Sequence, residues 1–442
     1  MTADHTAPGG QHPAVPFHGW RMVALAALML GLTGPGQTVG VSVFVDPIIA
    51  ALDISRSELS AAYLVGTLVA SAALPRVGRA LDAYGTRRTL LVVALGLGVA
   101  LTGMAGVVGL VTLTLGFLGI RMLGQGSLSL VATNAVAPWF SRRRGLAIGV
   151  VTAVGSSLIA LVPLVATFGI ARVGWRGTWL ALAALVVGVL VPVARRGFVD
   201  RPEDVGQHPD GVDPAATAPS DETRTVTAAG GPPGVPAAVA AGGPRRDHTR
   251  AEALRTPMLW ALIGGSVATG MLTTALAFHQ IDLLGEQGLT PVEAAANFLP
   301  QTVATFTTVL VVGALVDRIA PRWILLASMG LLATAMLVVP LVEPGLRAVG
   351  YGMAIGASGA AARSLEAGAV PRLYGLRHLG AIRGVVTALG GASTALGPLA
   401  ISLGRDVSGS YVPVLRWLVL LPAGVALLGL LAPFPGDPDG PS

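Results

Sequence analysis

Long apolar stretches alternate with short polar segments along almost the entire chain. A helix needs about 20 mostly apolar residues to cross about 30 Å of hydrocarbon. The pattern predicts twelve membrane-spanning helices, at 21–45, 58–76, 89–108, 110–136, 146–170, 176–194, 257–281, 292–316, 323–342, 347–369, 382–404 and 412–433. The composition agrees, because 53% of the residues are hydrophobic and only 12% are charged. The chain is therefore predicted to be an all-α membrane protein.

The two halves of the chain repeat one another at an offset of 235 residues. The segment Gly149–Gly155 returns as Gly384–Gly390. Three further pairs share this spacing: Gly78 with Gly313, Asp82 with Asp317, and Arg87 with Arg322. The repeat predicts two pseudo-symmetric six-helix halves, at 21–194 and 256–433. Two joined copies of one unit are the plan of many membrane transporters.

The basic residues are distributed unevenly between the two sides of the predicted membrane. All 29 are arginines. One side carries most of them, in loops after the even-numbered spans: Arg76, Arg79, Arg87, Arg88, Arg142–Arg144, Arg318, Arg322, Arg372 and Arg377. The other side carries Arg56, Arg172, Arg176, Arg347 and Arg405. The positive-inside rule then predicts that both termini are cytoplasmic, and the positive charge reports topology rather than a nucleic-acid partner.

The polar segments outside the spans give no sign of a catalytic domain. Residues 1–20 are predicted to be a polar tail without a cleavable signal peptide, and 434–442 a second tail. The segment 195–255 is rich in Ala, Pro, Gly and Thr and is predicted to be a largely disordered cytoplasmic linker. Because the chain has neither Cys nor Lys, it has no thiolate metal site and no nucleotide-binding P-loop. We expect no cofactor, no bound metal and no enzymatic activity.

One motif resembles the signature of the major facilitator superfamily, and the resemblance extends over nearly the whole chain. The motif Gly78-x-x-x-Asp82-x-x-Gly85-x-Arg87-Arg88 lies between spans two and three. In that family such a cluster latches the two halves together and is released as the protein changes conformation. Gly78 would allow close helix approach, Gly85 a tight turn, and Asp82 pairing with arginines.

The second copy of the motif is less complete. Ala320 stands where the repeat would place the second glycine, so the latch at Gly313, Asp317 and Arg322 is expected to be weaker. The alternative interpretation is that both copies merely set the topology.

A narrower resemblance points to the monocarboxylate and oxalate–formate type carriers. It is carried by Trp139–Gly149, by Arg201–Gly206 in the linker, and by the Gly404-Arg405-Asp406 segment. Those carriers hold their anion with basic residues on spans eight and eleven. Here the segment 294–316 has no charged residue. A carboxylate substrate is therefore only one candidate.

Few polar residues fall inside the predicted spans, and these are the candidates for substrate contact or coupling. Arg121 lies midway along span four, where a charge costs about 2.5–3.5 kcal/mol on insertion scales. It would contact an anionic substrate or a shifting partner, or else belong to an internal pair that fixes packing. Arg363 and Glu366, three residues apart in span ten, would either act on substrate or neutralise each other. Gln125 and Asn134 are candidates for lining the cavity, and the alternative for each is an interhelical hydrogen bond.

Three protonatable residues fall near one depth on symmetry-related spans. His279 and Asp282 end span seven, and Asp46 ends span one. Together they would form a proton site facing outward. The alternative is that all three lie in headgroup water and need no functional explanation.

These features predict a secondary transporter in a prokaryotic plasma membrane, which moves a small organic solute by alternating access. Coupling to protons is expected, and the protein is expected to act as a monomer in the lipid bilayer. A drug or metabolite exporter of the same superfamily is the main alternative. A transporter-like ligand sensor is a further one, although the chain shows no signalling domain.

Overall fold

The computed structural model describes residues 17–211 and 247–435, except for Leu376 and the side chain of Asp82. Twelve helical spans cross the bundle, and we number them in chain order. The first half contains α1 (Gly19–Ser42), α2 (Arg56–Leu81), α3 (Ala83–Ala105), α4 (Leu110–Trp139) and a long helix, Arg144–Gly197, that comprises α5 and α6. The second half contains α7 (Pro257–Phe278), α8 (Pro291–Leu315), α9 (Pro321–Leu337), α10 (Leu346–Tyr374), α11 (Leu379–Ser408) and α12 (Tyr411–Leu431).

The helix count agrees with the twelve spans that the sequence predicts. Within the described residues, nine helices are long and apolar enough to cross a membrane. One of them, Arg144–Gly197, is kinked at Gly174 and makes two crossings. The helix Pro321–Leu337 is slightly shorter, and Leu346–Tyr374 is long but carries charged residues. The predicted all-α fold of two six-helix halves is confirmed.

Glycine makes the two tightest reversals of direction between helices. Gly85, between α2 and α3, has φ 78°, and Gly174, between α5 and α6, has φ 72°. Glycine tolerates this backbone region because it lacks a Cβ. At the repeat-related turn before α9, Ala320 instead has φ −63°, and the helix is interrupted from Val316 to Ala320. The tight turn predicted at Gly85 is confirmed, and the second copy differs as its sequence does.

Helix packing follows the same pattern in each half. In the first half α1 packs on α5 and α2 on α4, while in the second α7 packs on α11 and α8 on α10. The halves meet where α2 contacts α11 and where α8 contacts the helix that begins at Arg144. Small residues permit close packing between helices of one half. For example, a Cβ added to Gly397 of α11 would lie 2.1 Å from the carbonyl oxygen of Met271 in α7.

Both described ends of the linker are attached to the half that they leave or enter. Asp210 accepts hydrogen bonds from the backbone N–H groups of Ser141, Arg142 and Arg143, at 2.7–3.3 Å, and from the Ser141 hydroxyl at 2.6 Å. At the far end, Asp247 accepts a bond from the Arg377 N–H at 3.4 Å. Arg142 and Arg377 are equivalent in the repeat, so two linker carboxylates bind equivalent loops.

The expected disorder of the linker therefore does not extend over all of 195–255. Residues 198–211 form two short 3₁₀ turns, Pro202–Val205 and Pro209–Gly211, that lie against the first half. Residues 212–246, where the disorder was chiefly expected, lie outside the described residues.

We expect Asp210→Ala to release this attachment. Burial raises the pKa of Asp210, but the bonds from Ser141, Arg142 and Arg143 outweigh it and hold the pKa at about 2. A lowered pKa means that the attachment is fully present above the ordinary value and is lost only as the pH falls toward 2. In Asp210→Ala the amides of Ser141–Arg143 should exchange hydrogen about tenfold faster at neutral pH. Asp204→Ala is the control, because Asp204 bonds only the N–H of Arg201. Equal exchange in both variants would contradict the attachment.

Candidate functional site

A cavity of about 580 Å³ lies between the two halves, lined by α1, α4, α5, α7, α8 and α10. Hydroxyl and amide side chains dominate its polar surface, among them Gln37, Gln125, Thr273 and Gln301. Arg363 is the one charged residue in the lining that the described residues provide. The volume suits a small organic solute, since ligand sites commonly occupy about 300–1,000 Å³.

Helix α1 is broken beside this cavity. Gly34–Gly36 forms a 3₁₀ turn, and Gln37 is extended with ψ 155° before the helix resumes at Thr38. Proline at position 35 cannot donate a backbone hydrogen bond, which favours such a break. The Gly36 backbone touches α4, because a Cβ on Gly36 would lie 2.4 Å from the Ile120 carbonyl oxygen.

Helix α4 is distorted at the same level. Residues Arg121–Leu128 form a π-helix, a geometry frequent at functional sites. The Arg121 guanidinium lies 4.9 Å from the centre of the Tyr63 ring. Its Nη1 donates to the Gly36 carbonyl at 3.3 Å and to the Thr38 hydroxyl at 3.4 Å. Arg121 therefore contacts the break in α1 and has no carboxylate partner among the described residues.

An ion-pair cluster closes the cavity at the end opposite the linker, which we call the sealed end. The Arg56 guanidinium contacts Asp46 at 2.5 Å and Asp282 at 3.0 Å, and so joins the two halves. Asp282 also contacts Arg405 at 3.2 Å and accepts a 2.8 Å hydrogen bond from the Tyr411 hydroxyl. Arg56 is 9% exposed, so this pairing is largely shielded from water.

Two further contacts join the halves near the sealed end. The Ser57 N–H donates to Asp406 at 3.1 Å, and the rings of Tyr63 and Phe278 lie 4.6 Å apart. These contacts, like the Arg56–Asp282 pair, lie at the sealed end, so the cavity is closed there.

The three candidate proton-site residues do not act as one group in this conformation. Asp46 and Asp282 come together, but through Arg56, which contacts both. His279 is 1% exposed, and its Nε2 lies 2.9 Å from the Pro398 carbonyl oxygen of α11. The histidine thus joins α7 to α11 within one half, while the two carboxylates belong to the seal between the halves.

Only some of the candidate cavity residues line the cavity. Gln125 and Arg363 line the cavity. The proposed neutralisation of Arg363 by Glu366 does not occur, because Glu366 instead accepts a 3.1 Å bond from Ser266 of α7. Asn134 is exposed and donates to the Leu130 carbonyl of its own helix at 2.9 Å, outside the cavity lining.

In the first copy of the motif, Arg87 contacts its own half. The Arg87 Nε donates to the Ala194 carbonyl at 2.9 Å, and its N–H donates to Asp200 at 2.9 Å. A Cβ added to Gly78 would meet nothing within 4 Å, so the predicted close approach is absent in this conformation. Arg88 is exposed.

Two residues of the second copy lie at the protein surface. Gly313 and Asp317 are exposed. Arg322 lies over the Phe434 ring at 4.8 Å from its centre.

Of the residues at the sealed end, the sequence analysis selects Asp46 and Asp282 as site candidates but not their arginine partners. Arg56 enters it only through the charge distribution, and Arg405 through the charge distribution and the carrier resemblance; the contact of Arg405 with Glu286, at 3.4 Å, has no sequence signal. One signal was available: Arg56 stands in the capping box that opens α2, only ten residues from Asp46. The sequence gives no such signal for the contact of Arg56 with Asp282, because that contact depends on how the two halves pack.

Comparison with known proteins identifies the family. The model of the Major Facilitator Superfamily matches residues 22–300. The chain belongs to this superfamily. Its members are membrane transporters, so the protein is a multi-pass membrane transporter rather than an enzyme.

Solved structures support the fold of this superfamily member. Two crystal structures of a bacterial homolog to the human lysosomal transporter Spinster are similar to the chain, one inward-facing and occupied, one inward-facing and unoccupied. Each is 15% identical, with 95% of this chain and 97% of that chain covered and TM-scores of 0.64 and 0.67. No curated protein matches the chain.

Proposed function

We propose that this superfamily member is a secondary transporter that moves a small organic anion across the plasma membrane by alternating access. The central observation is the cavity of about 580 Å³ between the halves, whose described lining carries one positive charge and no negative one. A cavity of that charge favours an anionic solute and disfavours an organic cation. A monocarboxylate-type substrate is consistent with the sequence resemblance.

Counterflow in proteoliposomes tests this function directly. Vesicles preloaded with an unlabelled organic acid should accumulate the labelled acid, and a panel of hydrophobic cations should not exchange. Exchange of cations but not of acids would favour the drug or metabolite exporter. Saturable binding without any counterflow would favour a ligand sensor.

The proposed orientation places the linker and both termini in the cytoplasm, so the structure represents the inward-open state. Because the chain has no Cys, single cysteines can test this without background. Cysteines at Thr86 and Ser141 should react only with maleimides that cross the membrane. A cysteine at Ser55, which is exposed at the sealed end, should react from outside. Labelling of all three from the same side would refute the orientation.

Protons are proposed as the coupling ion, with Asp46 as the acceptor at the outer face. Burial raises the pKa of Asp46, Arg56 lowers it, and the neighbouring Asp282 raises it again, so that the net shift is upward. A protonated Asp46 no longer attracts Arg56, and acid outside would therefore loosen the seal. The pairing is present above the raised pKa and is lost as the pH falls through it.

We further propose that the motif at Gly78–Arg88 latches the linker end when the cavity opens outward. Asp82→Asn should then slow transport several-fold without loss of inserted protein, because a charge pair that must form and break is removed. Asp317→Asn, in the less complete copy, should have a smaller effect. Initial rates at equal protein levels measure this, and a silent Asp82→Asn beside a damaging Asp317→Asn would reverse the assignment.

A further inference from the structure

A second cavity, of about 480 Å³, is lined by α2, α4 and α11. Its polar lining again consists mainly of hydroxyl groups, among them Thr67, Ser71, Ser129 and Thr394. Arg121 is the charged residue in the described lining. This cavity therefore shares the chemical character of the central one: neutral polar groups around a single cation.

The bonding capacity of Arg121 is largely unused. The residue is 4% exposed, and a guanidinium has five N–H donors. Among the described residues, Nη1 has acceptors at the long distances of 3.3 and 3.4 Å, the side chain also interacts with Tyr63, and the buried Nε has no hydrogen-bond partner. The Tyr63 ring covers one face of the group and leaves donors at its edge. A buried cation without a carboxylate is unfavourable unless an anion reaches it.

The two cavities adjoin along α4. Gln125 and Thr133 line both of them. The buried Gln125 Oε1 has no hydrogen-bond partner. The side chains of Gln125 and Thr133 therefore offer polar groups at the place where the two cavities adjoin.

We propose that the cavity at Arg121 is a second anion subsite, so that the transported solute is an organic dianion with one anionic group at Arg363 and the other at Arg121. This proposal rests on the proposed function, since it divides one substrate between two adjoining cavities. A flexible α,ω-dicarboxylate has the required chemistry: two anionic ends and a short chain that passes the amide and hydroxyl groups. Each anionic end meets a guanidinium, which binds carboxylates in a bidentate geometry.

The test measures ligand affinity on purified full-length protein, by the ligand-dependent rise in Tm, in chloride-free buffer. The probes are α,ω-dicarboxylates of three to eight carbons, the matched monocarboxylates, and chloride alone. Wild type should bind its best dicarboxylate about tenfold tighter than the matched monocarboxylate. Arg121→Gln should remove this preference while monocarboxylate affinity is retained. Arg363→Gln should weaken both ligands. Arg347→Gln, which breaks an exposed pair with Glu343 and a bond to the Leu341 carbonyl, should weaken neither.

Several results would overturn the subsite. Equal affinities for dicarboxylates and monocarboxylates in wild type would do so, as would a dicarboxylate preference that survives Arg121→Gln. If chloride alone raised the Tm in wild type but not in Arg121→Gln, and dicarboxylates did not compete, the cavity would hold an inorganic ion. In each case monocarboxylate counterflow would still support the proposed function. Only the loss of all organic-anion binding and counterflow in wild type would refute both.

A second variant keeps the test decisive if Arg121→Gln does not fold. Ser71→Leu would fill the second cavity from α2 without changing Arg121. It should abolish the dicarboxylate preference and leave monocarboxylate affinity unchanged. A retained preference in a folded Ser71→Leu protein would place the second carboxylate elsewhere.

Discussion

Arg56→Gln is expected to open the sealed end of the transporter. Arg56 is the group that both Asp46 and Asp282 contact, and its loss leaves two carboxylates of like charge facing each other across the halves. Breaking a buried ion pair by removing one partner commonly costs about 3–5 kcal/mol. Part of that cost should fall on the conformation described above, because these contacts are made in it.

A single cysteine at Thr273, in the central cavity, measures this effect. In Arg56→Gln it should react with an impermeant reagent from the sealed side about tenfold faster than in wild type, which corresponds to about 1.4 kcal/mol. Arg347→Gln is the matched control, since Arg347 forms an exposed pair with Glu343 and is 62% exposed. Unchanged labelling in Arg56→Gln would show that apolar packing, including Tyr63 on Phe278, closes this end without help from the ion pairs.

Arg363→Gln is expected to reduce organic-anion transport by about 10- to 100-fold, the range given by losing one hydrogen-bonded charge of about 1.5–3 kcal/mol. The physical reason is that Arg363 supplies the positive charge of the central cavity. The initial rate of counterflow at a substrate concentration below KM provides the measurement.

Glu366→Gln is the matched control on the same helix. Glu366 contacts Ser266 of α7 rather than Arg363, so its neutralisation should change transport less than threefold. If Glu366→Gln were as damaging as Arg363→Gln, the two residues would act together during the cycle, and the anion preference would no longer follow from Arg363 alone.

The sequence was sufficient to predict the helical spans and the repeat. The apolar pattern of each span can be recognised without knowledge of the other spans. All twelve spans were therefore predicted, including α10, whose hydropathy is low. Gly85 was also predictable, because a reversal within so few residues requires a backbone region that favours glycine. The repeat further indicated that α1–α5 and α7–α11 would pack alike.

The side-chain partners were not predictable to the same degree. Arg56 and Asp282 are far apart in the chain, and no local pattern indicates which helix ends meet across the halves. Arg363 and Glu366 fit the spacing of a helical ion pair, but Ser266 from another helix provides a competing partner. Asn134 interrupts an apolar stretch, which is why the sequence favours a cavity position, yet its side chain bonds the Leu130 carbonyl of its own helix.

The distortion of α4 illustrates a further limit. A π-helix differs from an α-helix by one extra residue in a turn, and residues Arg121–Leu128 have no composition that requires it. The break in α1 is easier to predict from the sequence, because Gly34, Pro35 and Gly36 are consecutive within an apolar span. Arg121 could be recognised as unusual from sequence, but its lack of a carboxylate partner required the packed structure.

The attachment of the linker at Asp210 and Asp247 bears on how this transporter could be divided. Each carboxylate binds a loop of its own half. A gene split at any codon between them would yield two polypeptides that each keep a complete six-helix unit and its attached end. Reassembly in the membrane would then depend on the shared faces of α2 with α11 and α5 with α8. Covalent continuity would serve mainly to deliver the two units in equal numbers to the same place.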